Sequence, residues 1–232
     1  MKRSILAGLA LVLLVAIAPA HRLSANDAVE NKVIPADKNN TLIETTDGSL
    51  SNGGGPALFV GRTAQSAGSI RRGLIEFDVA SAIPRGSKIG AVSLSMTVTR
   101  SAGDGPADIE LHRVLDDWGE GTSESNGGRG AASAVGDATW MNTFYPARRW
   151  HNAGGDFLPA PSAIQKVDGG GVYTWSSPEM AEDVQLWLNS PAKNFGWIII
   201  GDETREATVK IIASRHAPDT DSRPKLDVTF EP

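Results

Sequence analysis

The chain has 232 residues, with 22 lysines and arginines against 27 aspartates and glutamates, four histidines and no cysteine. A net charge of −5 weighs against nucleic acid or an anionic membrane surface as partner. Without cysteine there is no disulfide, thiolate metal site or thiol nucleophile, and the length suits one domain with a self-sufficient core.

Lys2 and Arg3 precede an apolar run from Ile5 to Ala18 that is too short to span a bilayer and fits a signal peptide. Two small-x-small cleavage sites follow, Ala18-Pro19-Ala20 and Leu23-Ser24-Ala25, and the second opens onto polar Asn26-Asp27. Residues 1–25 are therefore expected to be a signal peptide and 26–232 a single secreted domain, extracellular or periplasmic, with no membrane span once the signal is removed. Its net charge is −8, because Lys2, Arg3 and Arg22 leave with the signal.

Strand signals dominate the rest. Ala57-Leu58-Phe59-Val60 and Leu74-Ile75-Glu76-Phe77 are short strand candidates. Val92, Leu94, Met96 and Val98 alternate with Ser93, Ser95, Thr97 and Thr99, a period of two that gives one core face and one wet face. Ile109 and Leu111 alternate likewise with Asp108, Glu110 and His112, which places His112 on a solvated face. Pro178 to Asn189 is the one helical segment: Pro178 suits a first turn, Glu179, Glu182 and Asp183 suit its positive end, and Met180, Val184, Trp187 and Leu188 share a face. Trp197-Ile198-Ile199-Ile200 is apolar on both faces, as a central strand covered on each side would be, and Leu226, Val228 and Phe230 alternate with polar neighbours near the end. Turn-rich stretches at 51–56, 101–106, 119–136 and 168–171 separate these elements. The expectation is an all-β protein, a jelly-roll-like antiparallel β-sandwich with one short flanking helix.

Several ordered pieces carry a family resemblance. They are Asp37-Lys38-Asn39-Asn40-Thr41-Leu42-Ile43-Glu44, Ser49-Leu50-Ser51-Asn52-Gly53, Arg71-Arg72-Gly73-Leu74-Ile75-Glu76-Phe77-Asp78, Leu111-His112-Arg113-Val114, Asp117-Trp118-Gly119-Glu120-Gly121-Thr122, and Ser214-Arg215 followed by Arg223 to Val228. In that order they resemble the DNRLRE-type domains, exported β-sandwich modules related to the family-96 carbohydrate-binding modules. Thr41 and Ile43 stand where the domain's name has arginines, so no role of those arginines carries over. The resemblance implies a jelly-roll-like fold and, as in some members, polysaccharide binding.

The segment from Asp116 to Asp156 sets Trp118, Trp140, Tyr145 and Trp150 among carboxylates on a Gly-rich backbone. Aromatic faces can stack on the C–H face of a sugar while carboxylates and amides bind its hydroxyls. Trp118, Trp140, Tyr145, Arg148, Arg149 and Trp150 are thus the candidate ligand-binding residues, the two arginines suiting an acidic polysaccharide. The same rings folded inward would instead make a small core for the loop. Asp117, Glu120 and Asp137 are candidate ligands for a structural Ca²⁺, which takes hard oxygen donors. Arg72, Arg215 and Arg223 are expected to bridge carboxylates such as Glu44, Asp78 or Asp227. Trp175, Trp187 and Trp197 are expected to pack.

His112, His151 and His216 are the histidines past the signal, and neither a Gly-x-Ser-x-Gly elbow nor a His-Glu-x-x-His helix occurs. The leading expectation is a secreted non-catalytic module that binds polysaccharide. Its rivals are a structural or adhesive surface protein that binds another protein, and a polysaccharide lyase or hydrolase.

Overall fold

The computed structural model describes residues 28–103 and 105–232, so the segment read as a signal peptide lies outside the described residues. Fifteen strands and two α-helices follow in chain order: β1 (Glu30–Pro35), β2 (Lys38–Ile43), β3 (Leu50–Ser51), β4 (Ala57–Arg62), β5 (Ile70–Glu76), α1 (Val79–Ala82), β6 (Lys88–Ser101), β7 (Ala107–Arg113), β8 (Ala131–Ala132), β9 (Asn142–Phe144), β10 (Arg148–Arg149), β11 (Ala163–Val167), β12 (Gly171–Ser176), α2 (Pro178–Asn189), β13 (Trp197–Ile200), β14 (Lys210–Ala213) and β15 (Lys225–Glu231).

Eleven of the strands form one large antiparallel sheet, curled so that its two halves enclose a common core in the manner of a β-sandwich. The first half is built around β6, which is long enough to carry three partners. β12 pairs with Ser93 to Val98 of β6, β15 with Lys88 to Ser95, and β14 with Val98 to Ser101. Because β12 overlaps both of the others in register, β14 and β15 lie end to end on the opposite edge of β6. The second half runs β2-β5-β13-β7-β11.

The halves are joined by β4, whose Ala57 to Val60 pair with β14 and whose Gly61 and Arg62 pair with β5. The crossing falls on Gly61, at φ +112°, where a Cβ would stand 3.1 Å from the Thr208 carbonyl oxygen. Only glycine meets both demands cheaply.

Val92, Leu94, Met96 and Val98 of β6 are all buried in the main core, facing Ile75, Ile109, Leu111, Trp197 and Ile199 from the other half. Helix α2 spans the expected Pro178–Asn189, capped by Ser177, whose Oγ accepts the Met180 N–H at 3.0 Å. Met180, Val184, Trp187 and Leu188 enter the same core, where Trp187 meets Trp197 edge-on with ring centroids 4.5 Å apart. Asp183 goes in with them. Its Oδ1 accepts Arg113 Nη1 at 2.8 Å, and its Oδ2 accepts Ser162 Oγ at 2.6 Å and Trp197 Nε1 at 2.9 Å. The helix is thereby tied to three parts of the sandwich.

A second core lies on the opposite side of the β2-β5-β13 surface. Leu42, Leu74 and Ile198 pack there against Val114, Trp118, Ala138 and Trp150, so the long segment after β7 is folded onto the sheet as a cover. That double burial explains why β13 is apolar on both faces. Among the described residues, no helix is long and apolar enough to cross a membrane.

Candidate functional site

The cover segment positions most of the aromatic residues singled out in the sequence, and it splits them. Trp118 is 1% exposed and its Nε1 donates to the Phe195 carbonyl at 2.9 Å; Trp150 is 5% exposed and its Nε1 donates to the Thr139 carbonyl at 2.9 Å. Both rings are the apolar ballast of the cover, buried in one cluster with Leu42, Leu74 and Ile198 and so closed to a ligand. Tyr145 is half-buried in the turn between β9 and β10, and its backbone exchanges hydrogen bonds with Asp137 and Gly136. Arg148 is exposed and paired with Asp116, and Arg149 is exposed with no ion pair among the described residues.

Trp140 is different. It is half-buried and lines a groove of about 810 Å³ together with Ile43, Leu50, Ala67, Met141 and Ala153. The Nε1 atoms of Trp118, Trp150, Trp175 and Trp197 all have acceptors within the fold, and that of Trp187 is sealed in the core. Trp140 is half-buried, and its Nε1 has no acceptor among the described residues.

Polar groups rim this apolar floor. Glu44 accepts the Ile70 N–H at 2.9 Å, and Asp47 accepts the Ser49 N–H at 3.0 Å. Hydrogen bonding from Ser49, through side chain and then backbone, holds the Asp47 carboxyl below the usual range. Arg71 is buried, with Nε on the Gly128 carbonyl at 2.5 Å, Nη1 on the Gly68 and Ile70 carbonyls at 2.7 and 2.8 Å, and Nη2 on Gln65 Oε1 at 2.9 Å. Burial lowers its pKa to about 10, against the pull of nearby Glu44, so it stays cationic at neutral pH. Of its partners, Gly68 and Gln65 line the groove with it, and Gly128 adjoins the lining residue Arg129. The cation that faces outward is Arg129, which is exposed and makes neither an ion pair nor a side-chain hydrogen bond among the described residues.

The proposed calcium ligands do not converge. Asp137 is fully buried and accepts the backbone N–H groups of Thr122 and Ala134 at 2.8 and 2.7 Å. Glu120 accepts the Asn39 N–H at 2.9 Å, with His216 Nε2 and Arg215 Nε at 3.2 and 3.4 Å, and Asp117 accepts the Trp118 N–H at 2.8 Å. All three carboxylates are occupied in shaping the chain, and no cluster of three or more metal-binding side chains occurs among the described residues.

The motif pieces largely meet one another. Asn40 Nδ2 donates to the Glu120 carbonyl at 2.7 Å, Asn39 Nδ2 to Gly53 at 2.8 Å, Ser51 Oγ to Asn40 Oδ1 at 3.1 Å, and the Arg215 N–H to Asn39 Oδ1 at 2.7 Å. This seam clamps the first strands to the cover and to the loop before β15. Arg215 does serve the seam, through Glu120, but Arg72 pairs with Glu203 rather than with Glu44, Asp78 or Asp227, and Arg223 Nε donates to the Ala217 carbonyl. Asp78 caps α1 instead, accepting the Ser81 N–H at 3.1 Å.

His112, expected on a solvated face, is 4% exposed. Its Nδ1 lies 2.8 Å from the Leu158 carbonyl and its Nε2 2.9 Å from Glu110, because the cover segment returns over that face of β7. His151 is exposed, and none of the three histidines lines the groove. A second cleft, about 510 Å³ and mostly polar, holds Asp108, Glu110, Asp202 and Glu203. Each of these carboxylates is already paired, with Lys166, His112, Arg205 and Arg72 respectively. The chain was compared with protein-family models and with curated proteins, and neither comparison returns a match.

Proposed function

We propose that this protein is an exported, non-catalytic module that binds polysaccharide in the groove beside Trp140. The observation that carries the reading is the half-buried Trp140 indole, whose N–H has no acceptor among the described residues, lining an apolar groove with Glu44, Asp47 and Arg129. A sugar ring needs a flat apolar surface for its C–H face and polar groups at the edge for its hydroxyls, and the groove supplies both. The N-terminal run from Lys2 to Ala25 supports export, and the ordered motifs that resemble DNRLRE-type domains support the same class of activity.

Affinity electrophoresis against a panel of neutral and acidic polysaccharides tests this. The protein should be retarded on at least one gel, and Trp140→Ala should remove the retardation while leaving the melting temperature within a few degrees. Migration unchanged on every gel, or retardation that survives Trp140→Ala, overturns the reading.

A further inference from the structure

We propose that Arg72 is a positioning residue for Trp140, holding the indole at the groove through a guanidinium locked in place from its other side. The inference rests on the glycan-binding reading of the groove and assigns the residue that fixes its platform.

Arg72 and Arg71 are neighbours on β5, and strand alternation sends them to opposite faces. Arg71 goes to the groove wall, whereas Arg72 goes to the cover side, where its guanidinium carbon lies 4.9 Å from the Trp140 ring centroid and 5.5 Å from that of Phe157. Both separations suit cation–π contact. Each nitrogen of the fork is engaged: Nε and Nη2 bind the two oxygens of Glu203 at 2.7 and 2.9 Å, and Nη1 binds the Gly154 carbonyl at 2.8 Å. The ion pair is mostly shielded from solvent, with side-chain exposures of 16% and 20%.

Gly154 completes the clamp. Its N–H donates to the Trp140 carbonyl at 2.6 Å, and a Cβ at Gly154, already at φ +89°, would stand 2.8 Å from both Arg72 Nη1 and the Trp140 ring. The indole is thus fixed by a planar cation that is itself fixed by three hydrogen bonds. That geometry needs a guanidinium, because an ammonium has neither the flat face nor the bidentate fork. Trp140 packs against the edge of the second core and is only half-buried, so the clamp acts on a ring that also lines the groove.

The test labels the protein with 5-fluorotryptophan, giving one fluorine resonance for each of the six tryptophans, and assigns Trp140 by its loss in Trp140→Phe. Arg72→Lys and Glu203→Gln should each move or broaden the Trp140 resonance while Trp175, Trp187 and Trp197 stay in place. On a polysaccharide that retards the parent protein, Arg72→Lys should weaken binding about tenfold, and should weaken it no further in a Trp140→Phe background. A Trp140 resonance unmoved in both variants overturns the inference, as does an equal loss of affinity with and without the indole. Should Arg72→Lys fail to fold, Glu203→Gln, which keeps the guanidinium, decides by the same resonance. If no polysaccharide retards the parent protein, the glycan reading falls and the fluorine spectra alone decide the role of Arg72.

Discussion

Replacing Trp118 with alanine separates the two roles available to aromatic residues in the cover segment. The side chain is 1% exposed, packs with Leu42, Leu74 and Ile198, donates Nε1–H to the Phe195 carbonyl, and lies under Lys38 Nζ at 4.8 Å from its centroid. Truncation opens a cavity between cover and sheet, and large aromatic-to-alanine changes in cores cost about 3–5 kcal/mol. In a domain of this size each kcal/mol is worth roughly 2–4 °C, so the melting temperature should fall by about 6–20 °C. Urea unfolding followed by circular dichroism reads the loss directly, and Trp118→Phe, which keeps most of the apolar bulk, should recover more than half of it. A loss below about 1 kcal/mol, the range of an exposed position, would refute the assignment of Trp118 to the second core.

Other substitutions probe the remaining supports. Asp183→Ala leaves Arg113 without its buried partner and strips Ser162 Oγ and Trp197 Nε1 of their acceptor; a loss of about 3–5 kcal/mol is expected in the same urea assay. Ser177→Ala removes the cap of α2 and should cost about 1 kcal/mol, seen as a melting temperature lower by roughly 2–4 °C. The Asp202 carboxyl is raised by partial burial, but hydrogen bonds from Arg205 and Thr204 outweigh that and hold it well below its ordinary 3.8. A depressed carboxylate stabilises the fold above its unfolded-state pKa and loses that contribution as pH falls through the folded value. Melting curves of the parent protein and Asp202→Asn should therefore differ most above pH ~5 and draw together progressively as pH falls from there toward pH ~1, and a gap that widens in acid would contradict the assignment.

The elements that the sequence announced are those whose burial is set by local pattern. The alternation in Val92 to Thr99 became the inner and outer faces of β6, and the spacing of Met180, Val184, Trp187 and Leu188 became the core face of α2 with its ends at Pro178 and Asn189. Where pattern failed, a distant partner decided. Asn39, Asn40 and Thr41 are too polar to suggest a buried strand, yet β2 is buried because the Glu120, Gly53 and Arg215 backbones come to meet its amides. His112 obeys the alternation of β7 but is buried all the same, since the polar face of that strand lies under the cover. Composition singled out the aromatic loop as a region, but it could not distinguish rings buried against the sheet from one that lines the groove. That distinction depends on β5 and β13 supplying an apolar outer face, which only the assembled sheet shows.

The groove itself has no signature in the chain because its walls come from three separated segments, near 43–50, 65–71 and 129–153. What joins them is Arg71, which reaches the Gly128 carbonyl on one wall and Gly68 and Gln65 on another. With every guanidinium nitrogen bound, to the Gly128, Gly68 and Ile70 carbonyls and to Gln65 Oε1, Arg71 ties these segments together at a fixed spacing. Arg72, one residue on, does the same for the ring on the opposite face of β5. Two adjacent arginines on one strand thus preorganise a wall and a platform, which lowers the ordering cost that a weakly bound, highly solvated ligand would otherwise have to offset. On the proposed glycan reading, Trp140, Arg129 and Asp47 are the groove residues that would decide which sugar fits.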